Sequence, residues 1–206
     1  KSLPSQTFNQ TAPTEEQTPS KTANQNSSKE KTISGENENT KNTKEEERTS
    51  INDYGPVGSL NHQYLQTNFF SKLVLEIDYV NSVPPDQNAV DTFAATIKQY
   101  ADKPGGVTLA GGNSLTAQKQ KYTSQDLINI AKNNRSSYSS GKTISLYVLY
   151  VNGSLAENEN ALGVALTSSM FVIFKDQVNQ AVTSLVFSSE IERAVLNHEI
   201  GHLFGL

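Results

Sequence analysis

The sequence predicts an α/β fold, a twisted, mixed five-stranded sheet backed by helices and completed by a helix at the C-terminus, with a polar tail in front of it. Three observations predict this. A run that alternates like a strand, 72–80, leads into a stretch with apolar residues at helical spacing, 86–100, and then into a second strand-like run, 107–110. The run 143–151, Thr-Ile-Ser-Leu-Tyr-Val-Leu-Tyr-Val, is apolar on both alternating faces, as a strand covered by helices on both sides must be. The final helical stretch begins near Ser189 and carries two of the chain's three histidines.

Residues 1–52 form a tract of Ser, Thr, Asn, Gln, Glu and Lys, with little that is apolar beyond Leu3, Phe8 and Ile33. Such a segment buries too little surface to offset its ordering entropy, so it is predicted to be a disordered linker or stalk. Glu45-Glu46-Glu47 and the scattered lysines read as solvation. The globular domain is predicted over 53–206, with order beginning near Tyr54-Gly55-Pro56-Val57-Gly58.

Within that domain, Leu73, Leu75, Ile77 and Tyr79 share one face of a strand over 72–80. Pro84-Pro85 precede Asp86, a predicted N-cap, and Val90, Phe93, Ala94, Ile97 and Tyr100 make the buried stripe of the helix that follows. Pro104-Gly105-Gly106 ends that unit. Val107 to Ala110 is a short second strand, and a Gly/Ser/Gln-rich loop follows; Gly111-Gly112 and Gly163 read as turns or close packing, since neither has P-loop or dinucleotide spacing. A short helix is predicted from Ser124 to Asn133, the central strand over 143–151, and two short strands over 162–166 and 170–174. Ser189 and Glu192 form an S-x-x-E capping box for the last helix. On that helix Ile191, Val195, His198 and His202 share one face and Leu196, Ile200 and Leu203 the other, so it is expected to be mostly enclosed, with one face opening on a cleft.

The chain closes on His198-Glu199-Ile200-Gly201-His202-Leu203-Phe204-Gly205-Leu206. This is H-E-x-x-H followed by x-x-G, the opening of a zinc-protease signature. Residues four apart on a helix lie nearly above one another, so both imidazoles can reach one Zn2+ ion. Glu199 is turned about 80° from the midpoint of the pair, at about 100° per residue. It flanks the metal instead of binding it, which suits a general base acting on a metal-activated water. In the longer metzincin pattern, H-E-x-x-H-x-x-G-x-x-H, a third ligand follows the glycine, and here that position falls past Leu206. The domain is therefore expected to be the upper part of a catalytic domain, truncated after the zinc helix. His62 is the remaining histidine and a weak candidate ligand. Catalytic zinc takes three protein ligands and keeps one position open.

The net charge is −4 with basic residues dispersed, so nothing points to nucleic acid. There is no long apolar run, and cysteine is absent, which rules out disulfides and thiolate ligands.

The order of elements resembles the N-terminal half of a metzincin catalytic domain, an α+β arrangement with a twisted sheet above the zinc helix. Residues 56–206 further resemble bacterial exported proteins known as membrane metalloproteases. The segments that carry this are Pro56-Val57-Gly58, Leu75-Glu76-Ile77-Asp78-Tyr79-Val80, Lys103-Pro104-Gly105-Gly106-Val107-Thr108, Asn134-Arg135, Leu162-Gly163-Val164-Ala165, Ser169-Met170 with Ile173-Phe174, and Val195-Leu196-Asn197 leading into the zinc motif. The resemblance implies a zinc-dependent peptidase of the cell surface or extracellular space, tethered to a membrane through the N-terminal stalk. His198 and His202 would be ligands, Glu199 the base, and a peptide or protein the substrate. In metzincin-like enzymes the substrate lies extended along the edge strand, and Leu162 to Ser168 is the candidate for that rim. Two rivals remain: a surface binding or adhesion module with a vestigial zinc site, and a zinc hydrolase acting on non-peptide amides.

Limited proteolysis tests the stalk. Cleavage is expected throughout residues 1–52 and is expected to stop near Tyr54. A tract as protease-resistant as the domain would remove the tether from the argument.

Overall fold

The structure is a computed structural model and describes residues 51–80, 83–116 and 119–206. The polar tail is expected over 1–52; residues 1–50 lie outside the described residues, and 51–52 belong to the domain, with Ile51 packed against the core and the Asn52 carbonyl accepting from the Gly55 N–H at 3.0 Å. In chain order the elements are α1 (Asn61–Leu65), β1 (Lys72–Val80), α2 (Gln87–Tyr100), β2 (Val107–Leu115), β3 (Lys121–Tyr122), α3 (Ser124–Asn134), β4 (Thr143–Val151), β5 (Ser154–Leu155), β6 (Gly163–Thr167), β7 (Met170–Phe174), α4 (Lys175–Gln180) and α5 (Ser188–Phe204). Five strands form one sheet in the order β2-β1-β4-β7-β6. The pairs from β2 to β7 are parallel, and β6 is antiparallel to β7 at the edge, so the sheet is the mixed one expected. The short β3 and β5 pair separately in parallel.

The pattern of β4 dictates the layers. Every residue from Ile144 to Val151 is buried. Ile144, Leu146, Val148 and Tyr150 pack on one side with Leu73, Leu75 and Ile77 of β1, Phe93 and Ile97 of α2, and Leu196, Ile200 and Leu203 of α5. Tyr147, Leu149 and Val151 pack on the other with Met170, Val172 and Phe174 of β7 and Leu127 and Ala131 of α3. Each core side chain of this size contributes about 1.5–3 kcal/mol by leaving water.

The helix ends follow the sequence in part. Asp86 caps α2, its carboxylate accepting from the Ala89 N–H at 3.0 Å. The apolar stripe of α2 is shorter than expected: Tyr100 is 64% exposed and Ala101, just past the helix, is buried. Thr123 and Asp126 form a reciprocal capping box on α3. The box expected from Ser189 and Glu192 does not form. At the start of α5 the Glu190 carboxylate instead accepts from the Phe187 N–H at 3.3 Å. Glu192 falls on the core face, fully buried, and accepts from the Asp86 N–H at 2.9 Å and from the Lys175 ammonium.

A second difference concerns the loop expected after Ala110: β2 runs on to Leu115, and Gly111-Gly112 lie inside it, where Gly111 is a close-packing glycine and not part of a turn. Ile77 of β1 faces Gly111 and Tyr79 faces Ser114, so β2 carries one extra residue there, a β-bulge. Both glycines have φ of 86°. A Cβ on Gly111 would sit 2.6 Å from the Ile77 carbonyl oxygen, so the bulge needs glycine for space as well as conformation. Past the bulge, Asn113 donates from its backbone N–H (3.1 Å) and side-chain amide (2.9 Å) to Oδ1 of the buried Asp78. The Tyr147 hydroxyl donates to Oδ2 at 3.1 Å.

Burial raises the Asp78 pKa above the ordinary carboxylate range, although the donors from Asn113 and Tyr147 oppose the shift. The folded pKa exceeds the unfolded one, so the native state holds the extra proton and stability falls as pH rises through that interval. Asp78→Asn removes the titration while keeping the acceptor for Asn113. The variant is expected to gain on the parent chain as pH rises from about 4 to about 7, read from urea midpoints. A constant difference across that range would show that the charge on Asp78 is not what the fold opposes.

Candidate metal centre

Helix α5 presents one face to the core. Glu192, Val195, Leu196, Glu199, Ile200 and Leu203 are buried, at the i, i+3, i+4, i+7 spacing of a single stripe. Arg193, Ala194, Asn197, His198 and His202 are exposed. The helix is thus half-covered by the described residues and not mostly enclosed. Only one side of it meets α1, α2, α4 and the β6–β7 pair. Its end is set by Gly205, at φ 80° and ψ 29°, with the Leu206 N–H donating to the Gly201 carbonyl at 3.0 Å.

The two histidines stand one turn apart on the open face. Their rings are nearly perpendicular, 84° between planes, with centroids 4.7 Å apart. The two Nε2 atoms are 3.1 Å apart. Two nitrogens each about 2.05 Å from a tetrahedral zinc would be separated by about 3.3 Å. The same distance serves an N–H···N hydrogen bond between complementary tautomers. The spacing of the two nitrogens therefore fits two ligands of the zinc expected at the motif. The ligand set is incomplete among the described residues: no third His, Cys, Asp or Glu joins the pair. His62 lies exposed on α1 and forms no such group with them.

Glu199 lies beside them at the seam between α5 and β6, against Gly163, and is 5% exposed. Burial raises its pKa, while the His198 ring and the Ala165 N–H favour the carboxylate and oppose the shift. Strand β6 is one edge of the sheet, opposite β2, and pairs only with β7 among the described residues. It forms a wall of two cavities that meet at Gly163, His198 and Glu199. One, of about 360 Å³, runs past Val164, Ala165 and Val57 to His202. The other, of about 630 Å³, runs along α5 between Leu162, Val186, Ile191, Ala194 and Val195, with Glu190 among its lining residues.

The rim expected over Leu162 to Ser168 therefore coincides with β6 and its turn. Of the cleft residues, Val57 has no role assigned from the sequence, whereas Gly163 falls inside the rim expected over Leu162 to Ser168. Val57 is brought in by long-range bonds. Ser168 donates to Gly55 O (2.8 Å, from N) and Asn52 O (2.7 Å, from Oγ), and Thr167 Oγ1 donates to Asp53 O at 2.9 Å. Nothing local in Pro56-Val57-Gly58 announces this. Gly163 does carry a signal, as a small residue in an apolar strand, which marks a close approach of another group.

No protein-family model matches the chain, and no curated protein matches it. Among solved structures the chain is similar to an archaemetzincin from Methanopyrus kandleri. The identity is 18%, covering 69% of this chain and 77% of that one, with a TM-score of 0.48.

Zinc titration checks the ligand pair. The 206-residue chain is expected to bind zinc weakly, since two nitrogens converge where a catalytic site has three ligands. His202→Ala is expected to abolish even that binding. Tight one-to-one zinc in the parent chain would mean that a third ligand comes from residues outside those described.

Proposed function

We propose that the chain carries the zinc helix and upper cleft wall of a zinc-dependent endopeptidase. The observation that carries this is the convergence of the His198 and His202 Nε2 atoms, 3.1 Å apart, beside a buried carboxylate under an edge strand of the sheet. Zinc, when bound, supplies Lewis-acid polarisation of a carbonyl and a lowered pKa for the attacking water. His198 and His202 would hold it. Glu199 would accept a proton from that water and return it to the leaving amine. A carboxylate raised by burial is better suited to both halves of that transfer than one with an ordinary pKa.

A peptide in extended form would add to β6 as a further strand, through the backbone groups that β7 and the Glu199 carboxylate leave free. The cavities on both sides of Glu199 support internal cleavage, since they leave room for chain on either side of the scissile bond. As further parts of the same proposal, the domain acts outside the cell or on its surface, and the polar tract 1–52 is its tether. No helix among the described residues is long and apolar enough to cross a membrane. The competing reading, a surface binding module with a vestigial site, draws on the lack of a third ligand among the described residues.

Two substitutions in the protein at its natural length separate these readings. Glu199→Gln is nearly isosteric but cannot take the proton. It is expected to keep zinc and lose at least ~10²-fold in turnover of a quenched fluorescent peptide. His202→Ala is expected to lose metal and activity together. Near-parental turnover by the Glu199→Gln protein would overturn the peptidase mechanism and favour the binding module.

A further inference from the structure

Gly163 opens β6 at the junction of the two cavities and touches α5 where the metal motif begins. Its backbone does not require glycine, because it is not among the residues with positive φ. What it requires is space. A Cβ at this position would lie 2.8 Å from Cγ of Glu199, 2.8 Å from its Oε1 and 2.8 Å from Cγ1 of Val195. Non-bonded carbons pack at about 3.5–4.0 Å, so something would have to move. Val195 is buried and β-branched on a helix, which leaves it one strongly preferred rotamer. Glu199 is unbranched, and rotation about its Cα–Cβ bond carries both of its colliding atoms, Cγ and the carboxylate Oε1, away from β6 together.

We propose that Gly163 is a positioning residue for Glu199: its missing side chain lets the edge strand close on α5 and sets where the carboxylate stands in the cleft. The inference rests on the reading of Glu199 as the base. It adds a residue with no titratable or metal-binding group to the machinery. Displacing a catalytic group by about 1 Å can cost on the order of 10²-fold in rate.

In the protein at its natural length, Gly163→Ala is expected to lower kcat on the quenched peptide by about 10²-fold, with KM and zinc content near parental values. In a Glu199→Gln background the same substitution is expected to cause no further loss, because the group it displaces is already inactive. Losses that multiply in the double variant would overturn the positioning role. If Gly163→Ala does not fold, Gly163→Ala with Val195→Ala removes the collision with Val195 and keeps the two with Glu199, and kcat is expected to stay low. A parental kcat in that pair overturns the proposal.

A readout without activity uses metal-free chain. Gly163→Ala is expected to lower the Tm of the parent more than that of Glu199→Ala, which lacks both Glu199 atoms in the collision. Equal shifts in the two backgrounds overturn the contact. Coupled shifts in a protein that hydrolyses no peptide uphold the packing of Gly163 on Glu199 and overturn the peptidase reading alone.

Discussion

From Ile144 to Val151 every side chain of β4 is out of water, and the alternation of a strand sends four to each side. A strand apolar on both faces is stable only if each face is covered. β1 and β7 flank it in the sheet, α1, α2 and α5 cover one face, and α3 covers the other. Helix α5 is therefore placed by the core before any chemistry is considered. Leu196, Ile200 and Leu203 hold it against the sheet, and the turn geometry of the helix then fixes where His198 and His202 stand.

Buried charges complete the placement by tying connections to this core. Glu76, in the middle of β1, accepts from the Ser136 N–H (2.8 Å), the Ser136 hydroxyl (3.0 Å) and the Ser137 N–H (2.6 Å). Arg135 donates to the Ser137 carbonyl and the Ser169 hydroxyl, both at 2.7 Å. Asp53 accepts from the Ser139 N–H at 2.8 Å and its hydroxyl at 2.6 Å. Glu192 joins α5 to the start of α2 and to Lys175 of α4. A carboxylate without such partners would cost several kcal/mol to bury, so each of these groups holds its loop in one place. The β6–β7 turn is held by the same logic, and with it the wall of the cleft.

The cleft sets three neighbouring residues in different surroundings. His198 and His202 are exposed and near each other, while Glu199 is pressed between α5 and β6. Helical periodicity separates the carboxylate from the imidazoles by angle, and the edge strand turns that angle into a difference in solvation. The raised pKa of Glu199 follows from the strand's approach, and that approach follows from Gly163.

Local pattern alone determined much of this protein. The alternation in 72–80, the doubly apolar run 143–151, the N-cap at Asp86 and the H-E-x-x-H spacing each express a rule of short range, and each element formed where the pattern put it. The places where local reading failed are those where a distant partner decides. The segment after Ala110 read as a loop because it is rich in Gly, Ser and Gln, but pairing with β1 extends β2 to Leu115 and makes Gly111-Gly112 a bulge. Glu192 read as a cap because it follows Ser189 by three residues, but the core face of α5 claims it and supplies Lys175 and the Asp86 N–H as partners. The helix α4 and the β3–β5 pair are too short to leave a periodic signal. The sequence by itself determined which residues could bind a metal, because ligand spacing along a helix is local geometry. Only the tertiary structure decided that Gly163 meets Glu199 and that Val57 lines the cleft. Those contacts join residues far apart in the chain, and no periodicity within a single element encodes them.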